Sequence, residues 1–143
     1  MKKSIGIKLF AFALLALTIT ACSKYEEGSK FTVLTKKARM VNTWTLSSYT
    51  VNDISQALGA VTSTMELSKD GKYVSTWSSG GFSSSEVGTW AFSSNKEELI
   101  VIDSSGNVET FTIVMLKNKD LKLKQVETFI TTSITTVVTY TGA

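Results

Sequence analysis

The feature that most constrains this chain is a succession of short segments with an apolar residue at every second position, each closed by a polar turn. Trp44 and Leu46 share one side of an extended segment, while Thr43, Thr45 and Ser47 take the other. Side chains alternate faces along a strand, so a two-residue period marks a strand with one buried face. Val61, Met65 and Leu67 repeat the pattern, and Lys69-Asp70-Gly71-Lys72 follows them. Asp-Gly between alternating segments is a strong hairpin signal and predicts a type I′ turn, with positive φ at both central residues.

Taken in order, the expected strands are 40–50, 61–68, 73–77, 86–93, 98–102 and 108–116. Two more follow, one through Leu121, Leu123 and Gln125 and one through Ile134, Val138 and Tyr140. Residues 51–59 read as a connecting loop with up to one helical turn, and 78–85, around Gly80-Gly81, as a flexible loop tip. Residues 30–38 fit a short helix, with Phe31, Leu34 and Ala38 at helical spacing and Thr32 as the cap, or an irregular lead-in to the first strand. No segment is long enough for a crossover helix, so successive hairpins favour an antiparallel meander over βαβ units. A chain rich in Thr, Ser, Val and aromatics, with no Pro, supplies strand formers throughout. The expected fold class is all-β: an eight-stranded antiparallel up-and-down barrel over residues 39–143, preceded by a short N-terminal helix. Closure would remove the exposed edges of such a sheet. A two-sheet β-sandwich is the alternative.

Residues 1–21 read as an address rather than a fold element. Met1-Lys2-Lys3 and Lys8 make a positive start, Leu9 to Ile19 an uncharged apolar run, and Thr20 and Ala21 a small-residue finish. The run stops well short of the ~20 apolar residues that a membrane-spanning helix needs. Ile19-Thr20-Ala21-Cys22 resembles the bacterial lipoprotein signal, in which an aliphatic residue, a small or aliphatic residue and Gly, Ala or Ser precede a cysteine. The resemblance implies cleavage before Cys22, a diacylglycerol thioether on its thiol and a further acyl chain on its freed amine. One acyl chain binds a bilayer only marginally, at about 0.8 kcal/mol per buried methylene, whereas two or three hold firmly.

Residues 22–38 then comprise the lipidated cysteine, a tether and the short helix, and the implied partner is a membrane reached through the lipid anchor. Ser23, rather than an Asp, follows the cysteine, which points to the outer membrane. Lys24-Tyr25-Glu26-Glu27 resembles the surface-export signal of Bacteroides-type lipoproteins and fits a solvated tether equally well. The periplasmic and cell-surface faces both stay open.

The net charge of +3 belongs to that address. Without Lys2, Lys3 and Lys8, the 15 basic residues fall to 12, against 12 acidic residues. A balanced chain with no basic stripe offers nothing to nucleic acid. Removing 21 of 143 residues leaves 122, a size for one domain. Acylation of the only cysteine leaves no disulfide, so stability rests on core packing.

There is no histidine, which excludes Ser-His-Asp and Cys-His nucleophile systems and histidine metal sites. Glu26-Glu27 and Glu97-Glu98 are adjacent pairs, whose side chains point to opposite sides of an extended chain. Asp103, Ser105, Asn107 and Glu109 alternate oxygen groups but lack the length of an EF-hand loop, and read as an ordinary turn. The expectation is therefore no catalytic residues, no metal, no cofactor and no enzyme activity.

Arg39 and Trp44 open the first strand; Asp70-Gly71 precedes Tyr73; Gly88-Thr89-Trp90 precedes Phe92; Leu116 and Leu121 flank a charged turn. In this order and spacing they resemble the lipocalin-like domains found in lipoproteins of Bacteroides-type bacteria. Where lipocalins carry Gly-x-Trp on the first strand, this chain has Asn42-Thr43-Trp44. The resemblance implies an eight-stranded barrel with a central cavity for a small apolar or amphipathic ligand. Trp44, Met65, Trp90, Phe92 and Phe111 are the side chains expected inside. Eight strands leave an interior just wide enough to be filled by side chains or to hold one small ligand, so each of the five is core first and pocket second.

The function expected is that of a membrane-anchored lipoprotein whose barrel binds a small hydrophobic ligand. The alternative is a non-catalytic protein-interaction or structural module of the cell envelope. Trp77, beside Gly80-Gly81, is then the surface contact for an envelope protein partner.

Overall fold

Tight turns carry the chain from strand to strand until the last strand meets the first. The computed structural model describes Tyr25 and residues 33–143. Cys22, the signal segment, the remainder of the tether, Phe31 and Thr32 lie outside the described residues.

Helix α1 (Lys36–Met40) leads into β1 (Asn42–Val51), β2 (Ile54–Gln56), β3 (Thr62–Leu67), β4 (Lys72–Ser79) and β5 (Phe82–Phe92). Then follow β6 (Glu98–Asp103), β7 (Val108–Leu116), β8 (Asp120–Phe129) and β9 (Thr132–Gly142). The strand order is β1-β3-β4-β5-β6-β7-β8-β9, and β9 pairs back onto β1. Every pairing is antiparallel, so eight strands form a closed barrel with β2 as an extra strand on the C-terminal end of β1. The β1–β9 register runs from Trp44↔Gly142 to Val51↔Thr136. That seam removes the two-sheet sandwich.

The turns depart from expectation in instructive ways. At Asp70-Gly71 only Gly71 has positive φ (87°). Ser68 N donates to Lys72 O at 3.0 Å and Gly71 N to Ser68 O at 3.1 Å. This is a three-residue turn with a left-handed glycine, not the two-residue I′ form. The I′ geometry appears instead at Asn52-Asp53, with φ of 49° and 64°, and at Gly80-Gly81, with φ of 57° and 87°. Residues 51–56 are thus a hairpin rather than a loop with a helical turn. Residues 78–85 are not a flexible tip: Ser79 pairs with Phe82, and the strands run on through Ser78↔Ser83 and Trp77↔Ser84.

The helix also begins later than the sequence suggests. Thr35 caps it, its Oγ1 accepting from Ala38 N at 3.1 Å, and Arg39 and Met40 are the buried residues while Leu34 is exposed. The reason is the strand that follows. Trp44 donates from Nε1 to the Met40 carbonyl at 2.9 Å, giving the helix end a partner that only this register offers.

The core fills one end of the barrel. Met40, Trp44, Leu67, Leu99, Leu116, Leu121 and Leu123 are almost wholly buried, with Met65, Trp90, Val101 and Ile113 close behind. Each fully buried Leu contributes roughly 1.5–3 kcal/mol of burial. All lie where β1, β4, β6 and β8 begin and β3, β5, β7 and β9 end, which is the base, closed beneath by α1. Arg39 is buried there and donates from Nη1 to Leu116 O at 2.5 Å.

Tyr25 docks at the same end. Its hydroxyl donates to Lys96 O at 2.7 Å, and the Lys36 ammonium stands 4.3 Å from its ring centre. Burial, with a smaller push from Glu97, raises the Tyr25 phenol to about 12 against the opposing pull of Arg39. The opposite end, the mouth, is bounded by the turns at 52–53, 80–81, 103–107 and 130–131. There β5 is exposed from Phe82 to Val87, and β8 from Val126 to Phe129.

Candidate functional site: the barrel mouth

Alternation fixes which side chains enter the lumen. On β4 the inward parity set by Tyr73 continues through Ser75 to Trp77, and on β3 that of Leu67 and Met65 continues to Ser63. On β1 a bulge between Leu46 and Ser48 shifts the phase. Trp44 and Leu46 face inward before it, and Tyr49, paired with Val138, faces inward after it. An unbroken alternation would have placed Ser48 there.

The cavity lies between these strands. It measures about 290 Å³ and is lined by Leu46 and Tyr49 of β1, Ser63 of β3, Trp77 of β4 and Val138 of β9. Ala57, Leu58 and Val61, from the segment joining β2 to β3, complete the wall. An apolar concavity near 300 Å³ with a few polar groups is the lower end of the range for small-molecule sites. A second hollow, about 350 Å³, lies on the outer face among Ser48, Thr50, Lys122, Lys124 and Thr139. It is a surface groove over β1, β7, β8 and β9 of mixed character, with Asp53, Val114 and Val137 completing its lining.

The five side chains expected inside do lie inside, but below the cavity. Trp44, Met65 and Trp90 belong to the packed base, and Phe92 and Phe111 are partly buried against it. Trp90 and Phe92 meet edge to face, with centroids 5.6 Å apart. None of the five lines the 290 Å³ space. Trp77, expected as a surface contact, is also on the cavity wall, because it shares the parity of Tyr73 and Ser75. It is 44 % exposed, open to the mouth. Cys22 lies outside the described residues.

The sequence reading missed Tyr49, which needs the bulge to turn inward. It also missed Ala57 and Leu58, whose apolar character within a polar connection was the available signal.

Polar groups gather in the lumen above the base, Tyr73 and Tyr140 on β4 and β9 and Glu109 on β7. Tyr140 is pushed up to about 12, first by burial and then by Tyr73 and Glu109. Burial also raises Tyr73, with Glu86 and Glu109 adding to it. Glu109 is raised by partial burial and by the negative charges of Glu86, Glu127 and Asp103. Asp103 differs. Its Oδ1 accepts from Ser105 N at 2.7 Å and Asn107 N at 2.9 Å, and its Oδ2 from Asn107 Nδ2 at 2.6 Å. Those bonds hold its carboxyl below the usual range and commit it to the turn.

Residues 40–123, more than half of the chain, match the family of the lipocalin-like domain. The chain belongs to that family. The match runs from the end of α1 to Leu123, through six of the eight closing strands of the lipocalin-like barrel and into the start of a seventh. No curated protein matches the chain.

Proposed function

We propose that this protein is a membrane-anchored, non-catalytic binding lipoprotein whose lipocalin-like barrel takes one small apolar or amphipathic molecule at its mouth. The observation that carries the reading is the division of the interior. Side chains pack the base, whereas Leu46, Tyr49, Leu58, Val61, Trp77 and Val138 surround open space instead of filling it. A barrel serving only as a rigid module has no need to leave an apolar concavity unfilled, since filling it would add stability. The anchor is Cys22, on the strength of Ile19-Thr20-Ala21-Cys22, and the outer membrane is the compartment proposed.

Native mass spectrometry of the protein taken gently from its host tests the cavity. A mass above that of the lipidated chain, lost on Trp77→Ala, is expected; only the lipidated mass under several gentle conditions would sink the reading. Cys22→Ser tests the anchor: the protein should leave the membrane fraction, and unchanged fractionation would overturn it.

A second reading, an interaction module of the envelope, is favoured by one observation. Ile54, Phe82, Phe129 and Ile130 are exposed apolar residues at three turns of the mouth, with Ile130 fully exposed. Crosslinking in cells from these turns, followed by recovery of monomer alone, would remove it.

A further inference from the structure

The two walls of the lumen differ in kind. The wall of β9, β1, β3 and β4 is the apolar one, centred on Val138, Tyr49 and Trp77. Across from it, β5, β7 and β8 carry Glu86, Glu109 and Glu127. Glu86 shares the inward parity of Gly88 and Trp90, and it pairs with inward Ser75. Glu109 pairs with buried Val101 and lies two residues from Phe111, itself paired with buried Leu99. Glu127 shares the parity of Leu121 and Leu123 and pairs with Ile134.

No lysine or arginine occupies an inward position on any of the eight barrel strands. Lys72, Lys122 and Lys124 all have the outward parity. The inward positions of the barrel strands therefore hold Glu86, Glu109 and Glu127, with Asp103 beside them tied into its turn, and no lysine or arginine; the buried Arg39 lies below, in the base.

We propose that the barrel selects a cationic amphiphile: an organic ammonium whose apolar body lies along the Trp77 wall and whose charge faces Glu86, Glu109 and Glu127. The inference rests on the cavity reading above and adds the charge class of the ligand. Like charges facing one space with no counterion repel one another, and a bound cation relieves all three at once. The effect is larger beside low-dielectric walls than in bulk water. The same carboxylates reject a fatty acid or any anionic amphiphile, so the specificity is partly repulsive. The Glu109 carboxyl is raised first by partial burial and then by the negative charges of Glu86, Glu127 and Asp103, which places these groups near one another. A metal ion does not fit. Among the described residues no three Asp or Glu converge as a metal-holding group, so the charges suit an organic cation that faces them across the lumen without being coordinated.

The test uses the full chain in phosphatidylcholine nanodiscs, with empty discs as the blank. Phenylbutylammonium, phenylbutanol and phenylbutyrate, which share a body and differ in head group, are titrated calorimetrically at neutral pH. The ammonium is expected to bind about tenfold or more tighter than the alcohol, with the carboxylate weakest and the advantage shrinking in salt. Glu109→Gln and, independently, Glu86→Gln should each narrow the ammonium-to-alcohol ratio by about threefold or more. Equal affinity for the three probes, or a ratio unmoved by both substitutions, overturns the charge inference and leaves the cavity standing. Binding of none of them above the empty discs overturns the cavity reading and the inference with it.

Discussion

The indole nitrogen of Trp90 donates to the carbonyl of Ser68 at 2.9 Å, while the Trp90 backbone nitrogen donates to Gly71 O at 2.8 Å. One residue near the end of β5 therefore holds both sides of the β3–β4 turn, and it does so from within the packed base. Trp90→Phe keeps an aromatic ring and removes the indole donor. Because Ser68 O retains its bond from Gly71 N, the carbonyl is not orphaned. The expected loss is about 1–2 kcal/mol, from one buried hydrogen bond and some packing. Urea unfolding with an unchanged slope would measure it.

Gly88 shows how tightly β5 and β6 approach. A Cβ placed there would overlap the carbonyl oxygen of Ile102 and touch Asp103 Cα at 3.0 Å. Both are backbone atoms, so relief requires the strands to part. Gly88→Ala is expected to cost at least about 1–3 kcal/mol, read as a lowered thermal midpoint. A neutral result would mean that the strands separate more easily than their pairing implies.

Ile130 sits in the β8–β9 turn with φ of 54°, a left-handed conformation unfavourable for a β-branched residue, and it is fully exposed. Its side chain contributes no burial to offset that strain. Ile130→Asn is expected to stabilise the fold by roughly 1 kcal/mol, since Asn tolerates this region. A rise in the urea midpoint checks it.

Glu109 predicts the direction of one pH effect. Its carboxyl is raised above 4.5 by partial burial and then by Glu86, Glu127 and Asp103; Tyr73 and Tyr140 face the same space. An acid raised on folding binds its proton more tightly in the native state, so stability falls as pH climbs from the unfolded value through the folded one. Glu109→Gln removes that penalty. The variant should be slightly more stable than the parent at neutral pH, by under about 1 kcal/mol given the group's exposure. The difference should vanish as pH drops below about 4. Thermal melts across that window test the sign, and a variant less stable at neutral pH would contradict it.

The base of the barrel was legible in the sequence because its physics is periodic. Leu67 and Met65, or Leu121 and Leu123, alternate with polar residues wherever one face is buried, and the barrel was accordingly expected. The mouth was not legible for the same reason. From Phe82 to Val87 both faces of β5 meet water, so no alternation marks the strand, and its serines read as a loop. The inward turn of Tyr49 depends on a single extra residue in β1, which leaves no compositional trace. The Asn52-Asp53 hairpin did carry a signal, two residues that tolerate positive φ side by side. Trp77 is exposed, as its place beside Gly80-Gly81 suggests, and its parity with Tyr73 also brings it to the cavity wall, a position that only the strand register reveals. Helix α1 was displaced because its end is decided by the indole of Trp44, four residues on from Met40.

Tyr25 carries a consequence for geometry in the cell. As a free leash, the polar stretch after Cys22 would let the barrel tumble in any attitude above a bilayer. With Tyr25 held beneath the base by Lys96 and Lys36, only Ser23 and Lys24 separate the clamp from the proposed acyl site, a reach of at most ~11 Å over three residue steps. Were Cys22 lipidated as proposed, the barrel would stand like a cup on a short stem, its floor toward the lipid and its rim toward whatever the surrounding fluid delivers.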